Sequence, residues 1–343
     1  MKVLFLHANN PDYLSASLFH GLRLVLGDNC IDLPRFDWMY RPFPDLLKHQ
    51  IRGYGFTLFG LIPDDPVSNN DRFKVCQDHI HEFDYYIIAD IWRQWDDYSR
   101  LCRLVARDRI VVIDPADKPR VFPWNNLVKE HRYFRRSLAF LFKPVKYYYK
   151  REMVGTREAL AALPALFDSF AKSLLPTKIS PISFSIPEEK ILRTDACERS
   201  QLFASNIVDE EVSEKTAGSF YTPLGEQQYA FDSEQAYYAD IQQSRFGITT
   251  KRSGWDCLRH YEIAANGAVI CFKHLDKKPV GCAPHGLDRT NCIIYDDYSD
   301  LMQQINCLSN DAYLQLKTNT RIWINNYTTT AVAQRFLDSL ATS

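Results

Sequence analysis

Short apolar runs alternate with stretches of helical spacing along the whole chain, and the alternation occurs in two successive series. The first series comprises residues 2–7, 30–33, 85–89 and 109–113; the second comprises 201–205, 246–250, 268–272 and 291–294. Runs this short and this continuously apolar suit strands buried on both faces, and helices between them imply parallel, doubly wound sheets. Helical spacing is read near 96–107 and over 155–173, 233–244, 255–266, 298–308, 310–325 and 328–341. Residues 36–75 are aromatic and rich in turn formers, with no clear period, and 178–187 reads as an extended crossing between two halves. The expected fold class is therefore α/β, with two successive Rossmann-like domains. A length of 343 residues agrees, since it suits two domains of about 150 residues better than one.

Composition narrows the classes of function. A net charge of −1 argues against nucleic acid as a partner, because a broad basic footprint is what phosphate backbones require. Nine cysteines, an odd number without a CxxC pair, argue against a disulfide framework or a zinc site. A reducing, cytoplasmic setting is the expectation, and no run reaches the roughly 18 apolar residues of a membrane span. Residues 1–8 read as a first strand rather than a secretion signal. No GxSxG, P-loop or GxGxxG is present, so hydrolase, kinase and nicotinamide chemistries lack their usual anchors. The histidines and acidic pairs show no metal spacing, so no metal is expected.

The densest block of chemistry-bearing residues is 249–267. It leaves a strand at Thr250, passes a basic turn at Lys251 and Arg252, and enters a helix. Ligands of open α/β sheets bind outside the carboxyl ends of strands. A helix N-terminus there offers unpaired N–H groups and a positive dipole end to an anion. Gly254 permits a close backbone approach. Trp255, Arg259, Glu262 and Asn266 fall on one helical face by spacing. Arg259 can fork onto phosphate oxygens, and Glu262 can accept from the hydroxyls of a ribose or sugar. The plainer reading makes Arg259 and Glu262 a surface ion pair, Trp255 core, and Lys251 with Arg252 a solvated turn.

This block resembles the acidic-residue signature of GT-B glycosyltransferases: Glu262, small residues, Gly267, then a strand. Residues 251–262 are similar to the bacterial glycosyltransferase family 1 proteins of the CgeB-like group, and residues 9–14, 53–60, 113–117 and 149–152 carry the same resemblance. It departs at 268–270, where the proline usual near the start of the strand is absent. The resemblance implies two Rossmann-like domains facing across a cleft. Residues 1–175 would form the acceptor domain, 176–327 the nucleotide-sugar domain, and 328–343 a helix returning to the first. It also implies a sugar carried as a nucleotide diphosphate, no obligatory cofactor, and a hydroxyl acceptor, such as a bacterial surface glycan. Lys251, Arg252, Gly254, Trp255, Arg259, Glu262, Thr250 and Ser205 would then hold the donor.

On the acceptor side, Asp12 and Asp117 each follow a strand and are candidate bases for an acceptor hydroxyl. A helix cap at Asp12 and a turn role at Asp117 are the competing readings. Asn10, Arg93 and Arg151 also follow strands or basic runs and are candidates to line the cleft. Three other functions stay open at this point: a nucleotide-binding protein without transferase activity, a glycosyltransferase acting on modified DNA bases, and a sugar-nucleotide epimerase, which would turn over without an acceptor. Oligomeric state is not legible in the sequence.

Overall fold

The computed structural model describes residues 1–8, 10–43, 48, 51, 55–64, 67, 69–119, 121, 122, 145–153, 178–194, 199–223 and 230–342. The helix expected over 155–173 lies outside them.

The first half is built on a parallel sheet of β1 (Val3–Leu6), β2 (Cys30–Leu33), β3 (Tyr85–Ile88), β4 (Ile110–Asp114), β5 (Tyr147–Lys150) and β6 (Lys178–Pro181), in the order β2-β1-β3-β4-β5-β6. Every neighbouring pair is parallel. Alternate side chains of β1 leave by opposite faces into different cores. Val3 and Phe5 join one cluster, Leu4 and Leu6 another. That is why the run has to be apolar at every position. Helix α1 (Tyr13–Leu26) lies between β1 and β2, α2 (Asn69–Asp78) before β3, and α3 (Trp95–Leu104) between β3 and β4.

The second half repeats the plan with β7 (Gln201–Phe203), β10 (Ser244–Thr250), β11 (Val269–Lys273) and β12 (Cys292–Tyr295), in the parallel order β12-β11-β10-β7. A two-stranded piece pairs β8 (Asn206–Ile207) with β9 (Phe220–Tyr221). The helices are α4 (Glu210–Glu214), α5 (Glu234–Gln242), α6 (Leu258–Ala265), α7 (Tyr298–Cys307), α8 (Asn310–Asn325) and α9 (Thr329–Ala341). No helix among the described residues is long and apolar enough to cross a membrane.

Two sequence expectations are corrected here. Residues 178–181 pair with β5 as a sixth strand, so the crossing between the halves starts at Ile182. The helix expected over 255–266 is shorter. It begins at Leu258 after the N-cap Cys257, which leaves Trp255 in the turn before it.

Helix α9 returns to the first half and packs along α1. A Cβ on Gly21 of α1 would stand 2.0 Å from the carbonyl oxygen of Thr329, so only glycine lets the two helices approach this closely. His20 Nδ1 bonds Thr329 Oγ1 at 2.9 Å beside that contact. At the far end of α9, Tyr85 and Tyr147 donate to the Leu340 carbonyl at 3.1 and 3.3 Å. One apolar cluster consequently runs from Val3 and Phe5 through Phe336 and Leu337 to Ile263 and Ile270.

Candidate active site between the halves

The strand order of the first sheet reverses direction between β1 and β3. At such a switch point the following loops diverge and leave a crevice. Asn10 and Asp12 follow β1 there, and Asp90, Trp92 and Arg93 follow β3. The Asp12 carboxylate accepts from the amide and hydroxyl of Ser15 at 2.9 and 3.0 Å, so it caps α1. The Asn10 amide donates to the Pro11 carbonyl at 3.2 Å. Arg93 is solvent-facing and held by the buried Asp90 carboxylate at 2.8 Å. Burial raises the Asp90 pKa, and the neighbouring Arg93 charge opposes the shift. Trp92 packs edge-on to Phe122 and donates Nε1–H to Asp114 at 2.8 Å, so its role is structural.

Farther along the same sheet end, the two halves meet. Arg151, directly after β5, is buried and spans the cleft. It donates to the Asp256 carbonyl at 2.8 Å, to the Pro115 carbonyl at 3.2 Å, and to the Asp117 carboxylate. Its guanidinium also lies 4.4 Å from the centre of the Phe184 ring. Glu152, equally buried, accepts from the Asp256 amide at 3.1 Å. The Asp256 carboxylate accepts from the Phe184 amide and the Tyr261 hydroxyl, both at 2.9 Å. Burial raises the Glu152 pKa and pushes that of Asp256 up to about 6. Gly254 fits this junction because a Cβ there would meet the Glu152 carboxylate oxygen at 2.4 Å and Asp117 Oδ1 at 3.1 Å. The close approach expected at Gly254 is thus to carboxylates of the facing half.

The basic turn leaves the carboxyl end of β10 as expected. Thr250 is its last strand residue, and Lys251 is exposed, 5.4 Å from the Trp255 ring. Arg252 donates to the Thr222 carbonyl at 2.9 Å. The turn is held from below by His260. Nε2 can only donate to the Trp255 carbonyl at 2.9 Å, so Nδ1 accepts from Thr249 Oγ1 at 3.1 Å. Burial pulls the pKa of this neutral imidazole down to about 3. Arg259, on the first turn of α6, is half-buried and reaches the Asn206 carbonyl at 3.4 Å. Ser205 is bound through its amide and hydroxyl to Asp240, and lines a cavity of about 460 Å³ with Lys215, Thr216 and Tyr298.

The helical face drawn from spacing is not a solvent stripe. Glu262 is 5% exposed and Asn266 fully buried. Glu262 Oε2 accepts from Tyr237 at 2.8 Å, and Oε1 accepts from Thr57 of the first half at 2.5 Å. Burial raises the Glu262 pKa. The alternative of a surface Arg259–Glu262 ion pair is therefore not what this carboxylate does. Asn266 caps the far end of α6 and bonds Gln242.

The structure thus unites Arg151, Asp117 and Gly254 at one junction and places Lys251, Arg252, Trp255 and Arg259 on the turn and helix beside it. Asn10, Asp12 and Arg93 lie at the switch point of the first sheet. Glu152, Asp256 and Thr57 were not singled out in the sequence. Glu152 and Asp256 carried a signal, being neighbours of Arg151 and Trp255 in the two conspicuous blocks. Thr57 lies within the block 53–60 that carries the resemblance, between its glycines, with nothing in the sequence to mark it individually.

No family model matches the sequence, and no curated protein does. Solved structures do match the fold. HepE of Anabaena in complex with UDP-glucose is similar over 100% of both chains, with a TM-score of 0.54 and 12% identity. Trehalose-6-phosphate synthase OtsA is similar over 100% of this chain and 99% of its own, with a TM-score of 0.54 and 12% identity. Sucrose-phosphate synthase from Thermosynechococcus elongatus is similar over 100% of both, with a TM-score of 0.53 and 8% identity. The chain accordingly has the GT-B fold, two Rossmann-like domains whose strand ends face each other across a cleft.

Proposed function

We propose that this chain is a glycosyltransferase that moves a sugar from a nucleotide-diphosphate donor to a hydroxyl acceptor. One observation carries the reading. Lys251 and Arg252 directly follow the carboxyl end of β10, and Arg259 lies on the first turn of α6, which starts at Leu258, in a fold whose solved examples include HepE bound to UDP-glucose. Positive charge in that place stabilises a leaving diphosphate, the main electrostatic task of such a transfer. Glu262 would orient donor hydroxyls, with Thr250, Trp255 and Ser205 at the margins of the donor site. Asn10, Arg93 and Arg151 would line the acceptor side.

Of the two candidate bases, Asp117 fits better. Its carboxylate pairs with Arg151, yet it is 43% exposed and sits beside Gly254, whereas the Asp12 carboxylate is turned to the capping of α1. The partition expected from the sequence, 1–175 for the acceptor, 176–327 for the donor and 328–343 for the returning helix, is proposed with its first boundary moved past β6 (Lys178–Pro181), which pairs in the first sheet. Kinship to the CgeB-like group rests on the block 251–262, and a bacterial surface glycan is the acceptor class we would test first.

The test is a thermal-shift screen of UDP, GDP, ADP, CMP and their sugars on wild type, Lys251→Ala and Arg259→Ala. A ligand at about 100 times its dissociation constant adds about 2.7 kcal/mol to the stability of the form it binds. Stabilisation by one nucleotide family, weakened in both variants, supports the donor site and names the donor for transfer assays. If no nucleotide stabilises wild type, the reading fails. Binding without turnover of any sugar donor would instead favour a nucleotide-binding protein.

A further inference from the structure

The most unusual backbone in the described first half is at Thr57, whose φ is +74°. A β-branched residue in the left-handed region is strained, and such strain persists only where the surroundings over-determine it. Thr57 is 2% exposed, and its surroundings belong to the other half of the molecule. Its amide donates to Glu234 Oε1 at 2.7 Å, and its hydroxyl donates to Glu262 Oε1 at 2.5 Å. The Tyr238 hydroxyl, at 2.7 Å, must therefore donate to Thr57 Oγ1. Lys190 Nζ takes the other oxygen of Glu234 at 2.7 Å, and Tyr237 the other oxygen of Glu262. The segment that delivers Thr57 is turned by Gly55 and Gly60, at φ +73° and +62°. It is pinned by Gly60 N–H donating to the Trp38 carbonyl at 2.9 Å.

We propose that Thr57 is a positioning residue of the donor site. It reaches from the first half to aim the Glu262 and Glu234 carboxylates, so the hydroxyl-binding groups are in place only when the two halves are together. The proposal rests on the donor reading above. A carboxylate has about four acceptor sites. Among the described residues Thr57 and Tyr237 donate to Glu262, and Thr57 and Lys190 to Glu234 with Tyr238 beside it, so both groups keep lone pairs for the hydroxyls of a nucleotide sugar. Aiming a carboxylate beforehand removes the ordering cost that ligand binding would otherwise meet.

Glycine and serine separate this role from a merely structural one. Thr57→Gly removes the hydroxyl and also the φ strain; Thr57→Ser keeps the hydroxyl. Three readouts are taken: the thermal midpoint, the dissociation constant of UDP or GDP by calorimetry, and carbodiimide labelling of Glu262 read by mass spectrometry. In Thr57→Gly we expect an unchanged or raised midpoint, nucleotide affinity weakened about tenfold, as for loss of a hydrogen bond to a charged group, and new labelling of Glu262. Thr57→Ser should bind nucleotide within about threefold of wild type. Thr57→Ala serves where the glycine variant does not fold. Wild-type affinity together with a protected Glu262 in the glycine variant overturns the proposal. If wild type binds no nucleotide, the donor reading falls and the labelling alone decides whether Thr57 positions the carboxylate.

Discussion

Gly21→Ala is the substitution for which sequence and structure demand opposite signs. Gly21 lies inside α1, where alanine is normally better by about 0.5–1 kcal/mol through helix propensity and the entropy of the unfolded chain. In the folded molecule the new Cβ would stand 2.0 Å from the Thr329 carbonyl oxygen, 2.6 Å from its carbon and 2.8 Å from Ala333 Cβ. Backbone atoms cannot swing aside, so α9 must move away from α1 by more than about 1 Å to restore ordinary contact at about 3.5 Å. Overpacking of this kind costs about 1–3 kcal/mol and occasionally more. The His20–Thr329 hydrogen bond lies beside the clash, and its loss would add about 1 kcal/mol. After subtracting the propensity gain, the expected net destabilisation is about 1–3.5 kcal/mol. By the scale of large domains, that lowers the melting temperature by about 2–14 °C. Urea unfolding followed by tryptophan fluorescence, beside differential scanning fluorimetry, measures it. A variant as stable as wild type, or more stable, would refute the close packing of α9 on α1.

Three further outcomes are expected. Arg151→Lys should cost about 2 kcal/mol in urea unfolding, because one ammonium cannot replace a planar fork that serves Asp256, Pro115 and Asp117 together. His260 is held neutral when folded, with its pKa near 3, while the unfolded imidazole titrates near 6.5. Only the unfolded chain takes up that proton between those values, so this contribution to stability is present above pH 6.5 and is lost as pH falls toward 3. Between pH 7 and 5 the wild type should therefore lose about 2 kcal/mol more than His260→Gln, at about 1.4 kcal/mol per unit below 6.5; equal losses in urea midpoints would contradict it. Gly254→Ala should destabilise by about 2 kcal/mol, since its Cβ drives the buried Glu152 carboxylate off the Asp256 amide, and a thermal melt equal to wild type would count against that junction.

The local structure was largely legible, and the reasons are physical. Residues 30–33 and 310–325 are bounded in the structure as their periodicity predicts, and β10 to β12 differ from expectation by a residue or two at the ends. Residues 147–150 gave no strand signal, because three tyrosines and a lysine read as a polar, aromatic run. Burial there is met by partners drawn from elsewhere. Tyr148 and Lys150 share Asp114, and Tyr149 reaches Ser339. The basic turn at Lys251 and Arg252 falls at a strand end as the sequence predicts, but spacing alone puts Trp255 in the helix, since four-residue spacing is blind to where a helix starts. Glu262 was recognised by its motif and its partner was not. Thr57 lies 205 positions away, a separation no spacing rule spans.

The docking of α9 on α1 also sets an order of events during synthesis. Helix α1 ends at Leu26, yet the face that accepts α9 stays uncovered until residues 329–341 have been made. The roughly 300 intervening residues take about 15–60 s at about 5–20 residues per second. The first half of the nascent chain therefore waits on the ribosome with Gly21 and His20 lacking their final neighbours, and its assembly is completed only by residues 329–341.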